Sequence, residues 1–421
     1  MKIAIIGSGG REHALAYQLS KSKKISEIYS IPGNGGTDKV STNIQLNFNN
    51  FQALYDFINK ERIDLVIVGP EKPLTEGIVD YLESKKIRVF GPRKKVAQLE
   101  GSKIFTKKIC EKFNIPTAKF KICYSRDDSF DYLSLSKFPL VVKADVLAAG
   151  KGVYICKTMD EAKTAINEIF DGKFGKTDQL LIEEFLEGDE MSFFIISDGT
   201  SYKTFNTAQD HKRVGEGDKG KNTGGMGAYS PSSLINEDLE KKILEKIIDP
   251  TLKAIKEMDD KYIGFLYAGL MIKNNEPFLI EYNVRMGDPE CQTILPLIDN
   301  DLVDIIEACC ESKLERQDIK WKNKKSMCIV LCSKGYPDKY KKDIEIENLG
   351  KFHPNENNFI FHAGTKKVED KIYAIGGRVI NFVNISDSFS SSRKEIIKKI
   401  EKLNWESGFY RSDIGYKVID E

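Results

Sequence analysis

The sequence predicts a multidomain protein of mixed α/β and α+β class, and three observations support this prediction. The chain has 421 residues, which is too long for one compact core and suggests two to four domains. Short apolar runs alternate with helical patterns over residues 1–100, as expected for an open parallel sheet covered on both faces. From about residue 101 the pattern becomes α+β, and it changes again near residue 320.

The first hundred residues are predicted to form an α/β domain in which strands and helices alternate. The predicted strands are residues 2–6, 28–31, 65–68 and 88–90, and the predicted helices are residues 12–19, 51–59 and 79–84. Ligands of parallel sheets bind at the carboxyl ends of the strands. The glycine-containing segments at those ends are residues 7–12, 32–36 and 69–71.

The first of these segments resembles a dinucleotide-binding loop but departs from it. Glu12 occupies the position of the third glycine, and residues 29–32 supply no acidic side chain for a ribose. The loop can hold an anion at the start of a helix, but it does not suit a nicotinamide dinucleotide. The alternative is a tight strand-to-helix turn without a ligand.

The remainder of the chain is predicted to contain two α+β units before the change near residue 320. Predicted strands are residues 140–143, 153–156, 179–185, 192–196, 265–273, 277–282, 327–331, 359–362, 371–374 and 377–382. Predicted helices are residues 103–113, 161–170 and 391–403. A polar linker is predicted at residues 322–325.

Composition excludes several classes of function. Lys+Arg is 64 and Asp+Glu is 63, and this balance argues against a general nucleic-acid or membrane-surface binder. The first ten residues lack the apolar run of a signal peptide, and no apolar stretch reaches the roughly 18 residues of a membrane span. We therefore expect a cytoplasmic protein whose eight scattered cysteines form no disulfide and no zinc site.

Residues 143–152 are typical of a loop that covers a polyphosphate. Lys143 follows an apolar strand, and Lys151 stands between Gly150 and Gly152. Glycines let backbone N–H groups approach anionic oxygens, and lysines supply positive charge. The sequence therefore predicts a phosphate site here.

Residues 281–290 follow another apolar strand and favour a metal site. Alternate residues of a strand face the same side, so Glu281 and Asn283 present two oxygens to one spot. A carboxylate and an amide oxygen suit Mg²⁺, and the Arg285 guanidinium beside them can bind a carboxylate or phosphate. The alternative is a solvated strand end followed by a turn.

The strand predicted at residues 179–185 ends in a segment that can border an adenine. Its backbone offers donors and acceptors, Phe185 and Leu186 supply apolar surface, and Glu190 can accept from ribose hydroxyls. The alternative is an ordinary edge strand with a charged end.

Residues 210–227 are predicted to form a long polar loop that binds substrate or phosphate. The segment holds Asp210, Lys212 and Arg213 together with several glycines. Loops of this length are uncommon in compact domains unless they are functional. The alternative is a flexible surface loop.

Taken in order, these segments resemble the ATP-grasp superfamily and, within it, the glycinamide ribonucleotide synthetase family. The segments that carry the resemblance are residues 6–13, 32–37, 68–74, 99–103, 143–152, 183–188, 209–214, 222–231, 264–271, 281–290, 361–365, 376–379 and 411–415. The resemblance implies an ATP-dependent ligase that joins glycine to 5-phosphoribosylamine through glycyl phosphate. The products would be glycinamide ribonucleotide, ADP and phosphate, in purine synthesis.

The resemblance also implies roles for individual residues. The implied catalytic residues are Arg285, Lys143 and Lys212. The implied ATP-binding residues are Lys103, Lys143, Gly150, Lys151, Gly152, Glu183, Glu184, Phe185, Leu186 and Glu190. The implied substrate-binding residues are Gly9, Gly10, Glu12, Pro70, Glu71, Asp210, Lys212, Arg213, Gly224, Gly225, Met226, Arg285, Gly287 and Asp288. The implied ligands of Mg²⁺ or Mn²⁺ are Glu281 and Asn283.

The resemblance further implies an N-terminal domain (1–100), an ATP-grasp core (101–318) with a mobile lid (117–190), and a small C-terminal α+β domain (319–421). A monomer with small-molecule substrates is expected, without nucleic-acid or membrane partners. Two alternatives remain at this stage. One is another ATP-grasp ligase of nucleotide or carboxylation metabolism, and the other is a nucleotide-binding protein without catalysis.

Three features depart from the family pattern. Val146 replaces a glycine, and a β-branched residue would be strained there if the position needed a positive φ. Met286 replaces a phenylalanine. No acidic residue lies in residues 265–273, where many ATP-grasp enzymes place another metal ligand, so phosphates and water are expected to complete the metal shell.

Overall fold

The computed structural model describes residues 1–147 and 152–419. Its first sheet has five parallel strands in the order β3-β2-β1-β4-β5. They are β1 (Lys2–Gly7), β2 (Glu27–Pro32), β3 (Thr42–Asn43), β4 (Leu65–Val68) and β5 (Val89–Phe90). The sheet is buried on both faces, because Ile3 and Ile5 of β1 enter one hydrophobic core and Ala4 and Ile6 enter another. The predicted open parallel sheet is thus confirmed.

Five helices accompany this sheet where three were predicted. They are α1 (Gly10–Leu19), α2 (Phe51–Glu61), α3 (Glu71–Glu76), α4 (Ile78–Ser84) and α5 (Lys94–Gly101). Gly77, with φ of 98°, separates α3 from α4, a backbone conformation that glycine adopts without strain. The extra strand β3 has two polar residues and therefore no apolar pattern by which it could be recognised.

The next segment builds a small α+β unit around its own core. Helix α6 (Lys103–Phe113) leads into β6 (Phe120–Cys123), α7 (Arg126–Ser134), β7 (Leu140–Ala144), β8 (Val153–Cys156), α8 (Met159–Phe170) and β9 (Leu180–Glu184). The strands form a sheet in the order β6-β9-β7-β8. Leu140 and Val142 pack with Ile166 and Ile169 of α8 in a cluster separate from the other two cores.

Eight strands follow between residues 189 and 283. They are β10 (Asp189–Asp198), β11 (Tyr202–Thr204), β12 (Gln209–Asp210), β13 (Arg213–Gly215), β14 (Lys219–Asn222), β15 (Gly227–Ser230), β16 (Ile263–Lys273) and β17 (Glu276–Asn283). Strands β11-β10-β16-β17 form an antiparallel sheet, whereas β13 and β14 pair only with each other. The predicted long loop at 210–227 is therefore wrong, since it contains this hairpin and the ends of β12 and β15.

The last sheet joins distant parts of the chain. Besides β12 and β15, it contains β18 (Lys325–Ser333), β20 (Asn358–His362), β23 (Arg378–Ser386) and β24 (Gly408–Phe409). A separate small sheet is formed by β19 (Ile344–Glu345), β21 (Thr365–Val368) and β22 (Lys371–Ala374). The order β12-β15-β18-β23-β20 places β15 directly beside β18. This sheet crosses the predicted boundary between residues 318 and 319, and Lys325 of the predicted linker already belongs to β18.

The remaining helices lie on both sides of these sheets. They are α9 (Glu237–Ile243), α10 (Asp249–Glu257), α11 (Glu290–Ile294), α12 (Leu302–Cys310) and α13 (Phe389–Leu403). Within the described residues, none of the helices combines the length and apolar content needed to cross a bilayer. All eight cysteines are free, as predicted.

Candidate active site

Two lysines share one buried carboxylate between α6 and the sheet of the small α+β unit. The Lys143 Nζ on β7 lies 2.9 Å from Glu183 Oε2 on the neighbouring β9. The Lys107 Nζ of α6 lies 3.3 Å from Glu183 Oε1. All three side chains are almost fully buried. Two positive charges against one negative charge leave this lysine cluster with an excess of positive charge, which suits a phosphate.

Lys103 stands at the start of α6, where it contacts the end of β7. Its Nζ donates to the carbonyls of Ala144 and Val146 at 3.1 and 3.2 Å. Burial lowers the pKa of Lys103. Val146 has no positive φ among the described residues, so the strain considered from the sequence does not arise.

One face of the sheet β10-β16-β17 carries the predicted metal ligands Glu281 and Asn283. Glu281 pairs with Gly269 and Asn283 with Tyr267, so both lie on the same face of β17. Burial would raise the pKa of Glu281, but the positive charges of Lys212, Lys143 and Lys103 hold it below its ordinary value. Glu281 therefore stays ionised among lysines that come from three different parts of the chain.

The donor set at Glu281 and Asn283 fits a hard divalent cation. A carboxylate and an amide oxygen on one strand face are ligands that Mg²⁺ accepts. Within residues 1–147 and 152–419, no cluster of three or more His, Cys, Asp or Glu side chains is arranged to hold a metal. Glu281 and Asn283 would supply two ligand positions, and Mg²⁺ typically fills its other positions with phosphate oxygens and water.

Lys212 follows β12 and lies against the same face. Its Nζ is 2.9 Å from Glu190 Oε2 on β10. Although burial opposes it, the charge of Glu190 raises the pKa of Lys212 well above its ordinary value. Nearby, Asp210 Oδ1 is buried without a hydrogen-bond partner, and burial together with the charge of Glu290 raises the pKa of Asp210.

Arg285 lies beyond the end of β17, between two acids of the N-terminal half. Its Nη2 donates to Glu100 Oε1 at 2.7 Å, and its Nε is 3.5 Å from Glu71 Oε2. The other Glu100 oxygen accepts from the Val284 N–H at 2.8 Å. Burial raises the pKa of Glu100 to about 7, against the opposing charge of Arg285.

The first strand-to-helix loop lies next to Arg285. Arg11 Nη1 and Arg285 Nη1 both donate to the Met286 carbonyl at 3.2 Å. The Glu12 carboxylate accepts from Arg11 Nε and from the Gly9 N–H, each at 2.6 Å. Glu12 is almost fully buried, and these contacts shape the loop. Its substrate contact stays a prediction.

Asp288 connects this loop to the C-terminal sheet. The Arg378 Nη1 on β23 donates to the Asp288 and Gly224 carbonyls at 2.6 Å and lies 3.2 Å from Asp288 Oδ1. Gln292 donates to the same Asp288 oxygen at 2.7 Å. Gly224 lets the Arg378 guanidinium approach the backbone closely, since a Cβ at residue 224 would lie 3.0 Å from the Arg378 Cζ.

Other predicted site residues are placed as follows. Gly10 packs closely against Gln292 and Asn381, Gly225 approaches Asp210, and Gly287 approaches Glu290. Pro70 lies two residues after the end of β4 and directly precedes α3. Gly150 and Lys151, both predicted to bind ATP, lie outside the described residues. The Gly152 carbonyl accepts from the Ala144 N–H at 2.8 Å.

Four of the implied site residues make close contacts within the protein, and their roles toward a ligand stay predictions. Glu183 pairs with Lys143 and Lys107, and Glu184 accepts from the Lys119 N–H at 3.0 Å. The Arg213 guanidinium donates to the Gly220 carbonyl within the hairpin at 2.8 Å. Met226 is fully buried; its N–H donates to the His211 carbonyl at 2.9 Å, and its carbonyl accepts from the Val330 N–H of β18 at 3.0 Å. Phe185 and Leu186 are half-buried between β9 and β10, where the sequence placed them.

Sequence reasoning missed four charged residues of the site: Arg11, Glu100, Lys107 and Arg378. Arg11, Glu100 and Arg378 lie in segments that carry the family resemblance, but no local pattern indicated their partners. Lys107 lies one helical turn after Lys103, on the same face of α6. The four-residue spacing between Lys103 and Lys107 is the sequence feature by which Lys107 could have been found.

Comparison with known proteins agrees with this geometry. Models of phosphoribosylglycinamide synthetase match the chain in three parts: the N domain at residues 1–100, the ATP-grasp (A) domain at 101–291 and the C domain at 326–417. The chain is 41% identical to a phosphoribosylamine–glycine ligase of Brucella melitensis, covering 100% of this chain and 99% of that protein. It is 42% identical to one of Caldanaerobacter subterraneus, covering 98% and 99%.

Solved structures show the same relationship. A crystal structure of phosphoribosylamine–glycine ligase from Thermotoga maritima superposes with a TM-score of 0.86 at 32% identity, covering 99% of this chain and 100% of that one. A biotin carboxylase domain from Hydrogenobacter thermophilus shares the fold, with a TM-score of 0.73 at 17% identity, covering 95% and 89%. The chain belongs to the phosphoribosylglycinamide synthetase family.

Proposed function

We propose that the protein is an ATP-dependent ligase that joins glycine to 5-phosphoribosylamine and forms glycinamide ribonucleotide, ADP and phosphate. The observation that carries the proposal is the convergence of Lys103, Lys143 and Lys212 on the ionised Glu281. These lysines come from α6, β7 and the segment after β12, and they face the strand that holds Glu281. In such a cleft Lys103 and Lys143 can neutralise a triphosphate, and Lys212 can contact the carboxylate substrate beside it.

The chemistry follows from the poor reactivity of a carboxylate. An oxygen of the glycine carboxylate attacks the γ-phosphorus of ATP, which releases ADP and forms glycyl phosphate. The amine of phosphoribosylamine then attacks the acyl carbon, and phosphate leaves as the amide forms. Phosphoryl transfer depends mainly on positioning and charge neutralisation, so no nucleophilic side chain is required.

Lys103 and Lys143 would neutralise the transferring phosphates. Arg285 would stabilise the phosphoryl group or the glycine carboxylate. Glu100 and Glu71 hold Arg285 from the other side, which limits the conformations of its guanidinium. Glu281 and Asn283 would bind Mg²⁺ or Mn²⁺, which supplies charge neutralisation and alignment of the phosphate oxygens when bound. Phe185, Leu186 and Glu190 would border the nucleoside.

The segment 117–190 would act as a lid over the nucleotide. Its separate core around Leu140 and Ile166 supports movement as one unit, because its packing does not depend on the other two cores. Domain limits at 1–100, 101–318 and 319–421, a monomeric state and a cytoplasmic location remain predictions. Light scattering of the purified protein would measure the oligomeric state.

A coupled assay tests the activity directly. Phosphoribosylamine is generated in situ, ATP and Mg²⁺ are supplied, and ADP release is followed with glycine, alanine, serine or bicarbonate as the second substrate. We expect turnover with glycine, dependent on phosphoribosylamine. Turnover with bicarbonate but not with glycine would show a carboxylating ligase instead. ATP binding without any turnover would show a nucleotide-binding protein.

A further inference from the structure

The residues 411–417, here called the C-terminal segment, follow β24 and cross to the hairpin β13–β14. Arg411 is the central residue of this contact, with a side chain only 1% exposed. Its Nε and Nη2 donate to the two oxygens of Asp413, each at 2.8 Å. This fork fixes the guanidinium within its own segment and leaves Nη1 pointing at the hairpin.

Arg411 Nη1 then binds the hairpin at two places. It donates to the Arg213 carbonyl at 2.9 Å and to Asp218 Oδ1 at 2.7 Å. Arg213 begins β13, and Asp218 lies in the turn before β14. One buried cation therefore bridges the base and the tip of the hairpin.

Neighbouring residues of the C-terminal segment hold the hairpin turn. The Ser412 N–H donates to Glu216 Oε1 at 3.1 Å, and the Ser412 hydroxyl donates to the same oxygen. Asp413 Oδ2 accepts from the Gly217 N–H at 2.8 Å, and the Tyr416 hydroxyl donates to Asp218 Oδ2 at 2.8 Å. The three turn residues, Glu216, Gly217 and Asp218, are thus all hydrogen-bonded to the C-terminal segment.

The segment also contacts the residues that flank the Lys212–Glu190 pair. The Gly415 N–H donates to His211 Nε2 at 3.2 Å, next to Lys212. The Lys417 Nζ lies 2.8 Å from Asp189 Oδ1, next to Glu190. His211 and Asp189, which adjoin Lys212 and Glu190 in the chain, therefore both contact the C-terminal segment.

The hairpin cannot supply this order by itself. Its strands are three and four residues long and pair only with each other. All four residues of β14 are exposed. An isolated two-stranded hairpin is marginally stable in water, so its position depends on contacts from outside.

We propose that the C-terminal segment positions Lys212 in the active site by holding the hairpin that follows it. Arg411, Ser412 and Tyr416 are positioning residues, because they act through the hairpin and not on substrate. The proposal rests on the proposed function, in which Lys212 contacts the substrates. It assigns a role to the motif at residues 411–415, which the chemistry of the reaction does not otherwise explain.

The test uses the full chain with the double substitution Ser412→Ala/Tyr416→Phe, which removes two hydroxyl contacts with the hairpin. Trypsin can cut the hairpin after Lys219 and Lys221. Since a lost hydrogen bond raises the locally open population by roughly fivefold, we expect cleavage there to be at least ~fivefold faster. The melting temperature should stay within about 3 °C of the parent value.

Kinetics supply the second readout. We expect kcat to fall or the KM for glycine to rise by roughly fivefold or more, with the KM for ATP unchanged within about twofold. Arg411→Lys keeps the charge but loses the fork to Asp413, and it should show the same pattern more strongly. The matched control is Tyr81→Phe/Ser84→Ala, which removes the same two hydroxyls from α4 and should change neither readout.

Unchanged cleavage at Lys219 and Lys221 in the Ser412→Ala/Tyr416→Phe variant would overturn the proposal. Equal losses for ATP and glycine, or a large fall in melting temperature with no selective cleavage, would also overturn it, because they indicate a general effect on stability. If the parent protein shows no turnover with glycine and phosphoribosylamine, the proposed function fails. The cleavage result would still report whether the segment holds the hairpin.

Discussion

Lys143 and Glu183 form a buried ion pair whose carboxylate is shared with Lys107. A buried pair is costly to desolvate, and removing one partner leaves the other without full compensation. Here the second lysine lowers that cost, since Glu183 keeps a cation 3.3 Å away when Lys143 is removed. Lys143 can therefore be tested without leaving an isolated buried charge.

Lys143→Ala should lower kcat by about a hundredfold or more, because a preorganised positive charge beside the transferring phosphate is lost. The measurement is ADP release in the coupled assay, accompanied by a melting curve to show that the fold is intact. Lys121→Ala is the control, since Lys121 is a lysine of the same α+β unit with a distant ion-pair partner at 3.8 Å. Near-normal activity of Lys143→Ala would remove Lys143 from the phosphate site.

Glu281→Gln should weaken the dependence of activity on divalent cation. The substitution keeps the shape of the side chain but removes the negative charge that Lys212, Lys143 and Lys103 stabilise. We expect the Mg²⁺ concentration for half-maximal activity to rise by roughly ten- to a hundredfold. A Mg²⁺ titration of both proteins at saturating ATP measures this shift. Identical titration curves would show that Glu281 is not a metal ligand.

Helix α6 is joined to the end of β7 by one carboxylate. Asp145 accepts from the Ser102 hydroxyl at 2.9 and 3.0 Å, from the Ile104 N–H at 3.0 Å and from Gln179 Nε2 at 3.1 Å. An acidic side chain at a helix N-terminus also interacts favourably with the helix dipole. This contact holds Lys103 on the helix and Lys143 on the strand in a fixed relation.

Asp145→Asn should therefore affect both stability and nucleotide affinity. An amide nitrogen cannot accept a hydrogen bond as the second carboxylate oxygen does, so we expect a loss of about 2 kcal/mol in the free energy of unfolding. The dissociation constant for ATP should rise because the two lysines are less well aligned. Urea unfolding and calorimetric titration measure these two quantities. Asp128→Asn on α7 is a control, and an unchanged ATP affinity in Asp145→Asn would contradict the role of this contact.

The two ends of the chain pack against each other near the active site. Asn34 donates to the His362 carbonyl at 2.8 Å, and the Gly35 N–H donates to the Thr365 carbonyl at 3.1 Å. The His362 N–H donates to His13 Nδ1 at 2.9 Å. The N-terminal loops are thus held by the C-terminal part of the chain.

His362 makes this contact sensitive to acid. Burial and the charge of Lys39 lower the pKa of His362 to about 3. Below the ordinary histidine pKa of about 6.5, the unfolded chain binds a proton that the folded protein does not bind. Stability should therefore fall as the pH drops below about 6.5, and this contribution should level off near pH 3.

His362→Gln should remove that contribution. Between pH 6 and pH 5 the free energy of unfolding should fall less steeply in the variant, by about 1 kcal/mol per pH unit. Urea unfolding at a series of pH values measures the slope. His353→Gln, at an exposed position, is the matched control. Parallel slopes for His362→Gln and the parent protein would show that His362 is not buried in its neutral form.

Local pattern alone predicted much of the architecture and the main site segments. The bounds expected for β4, α6, β8 and β22 agree with the structure, and the glycine-containing loops do lie at the carboxyl ends of the parallel strands. Glu281 and Asn283 share a face, as their spacing required. These features depend on periodicity over a few neighbouring residues, which a single sequence displays directly.

Only the tertiary structure decided four contacts. These are the pairing of β15 with β18, the two lysines at Glu183, the contact of the Arg378 guanidinium with Asp288, and the contacts of Arg411 with the hairpin. Each joins residues that lie between about 40 and 200 positions apart in the chain. Short polar strands carry no apolar alternation, and a charged side chain does not indicate its partner. Packing of the separate cores brings these groups together, and their charges then determine which pairs form.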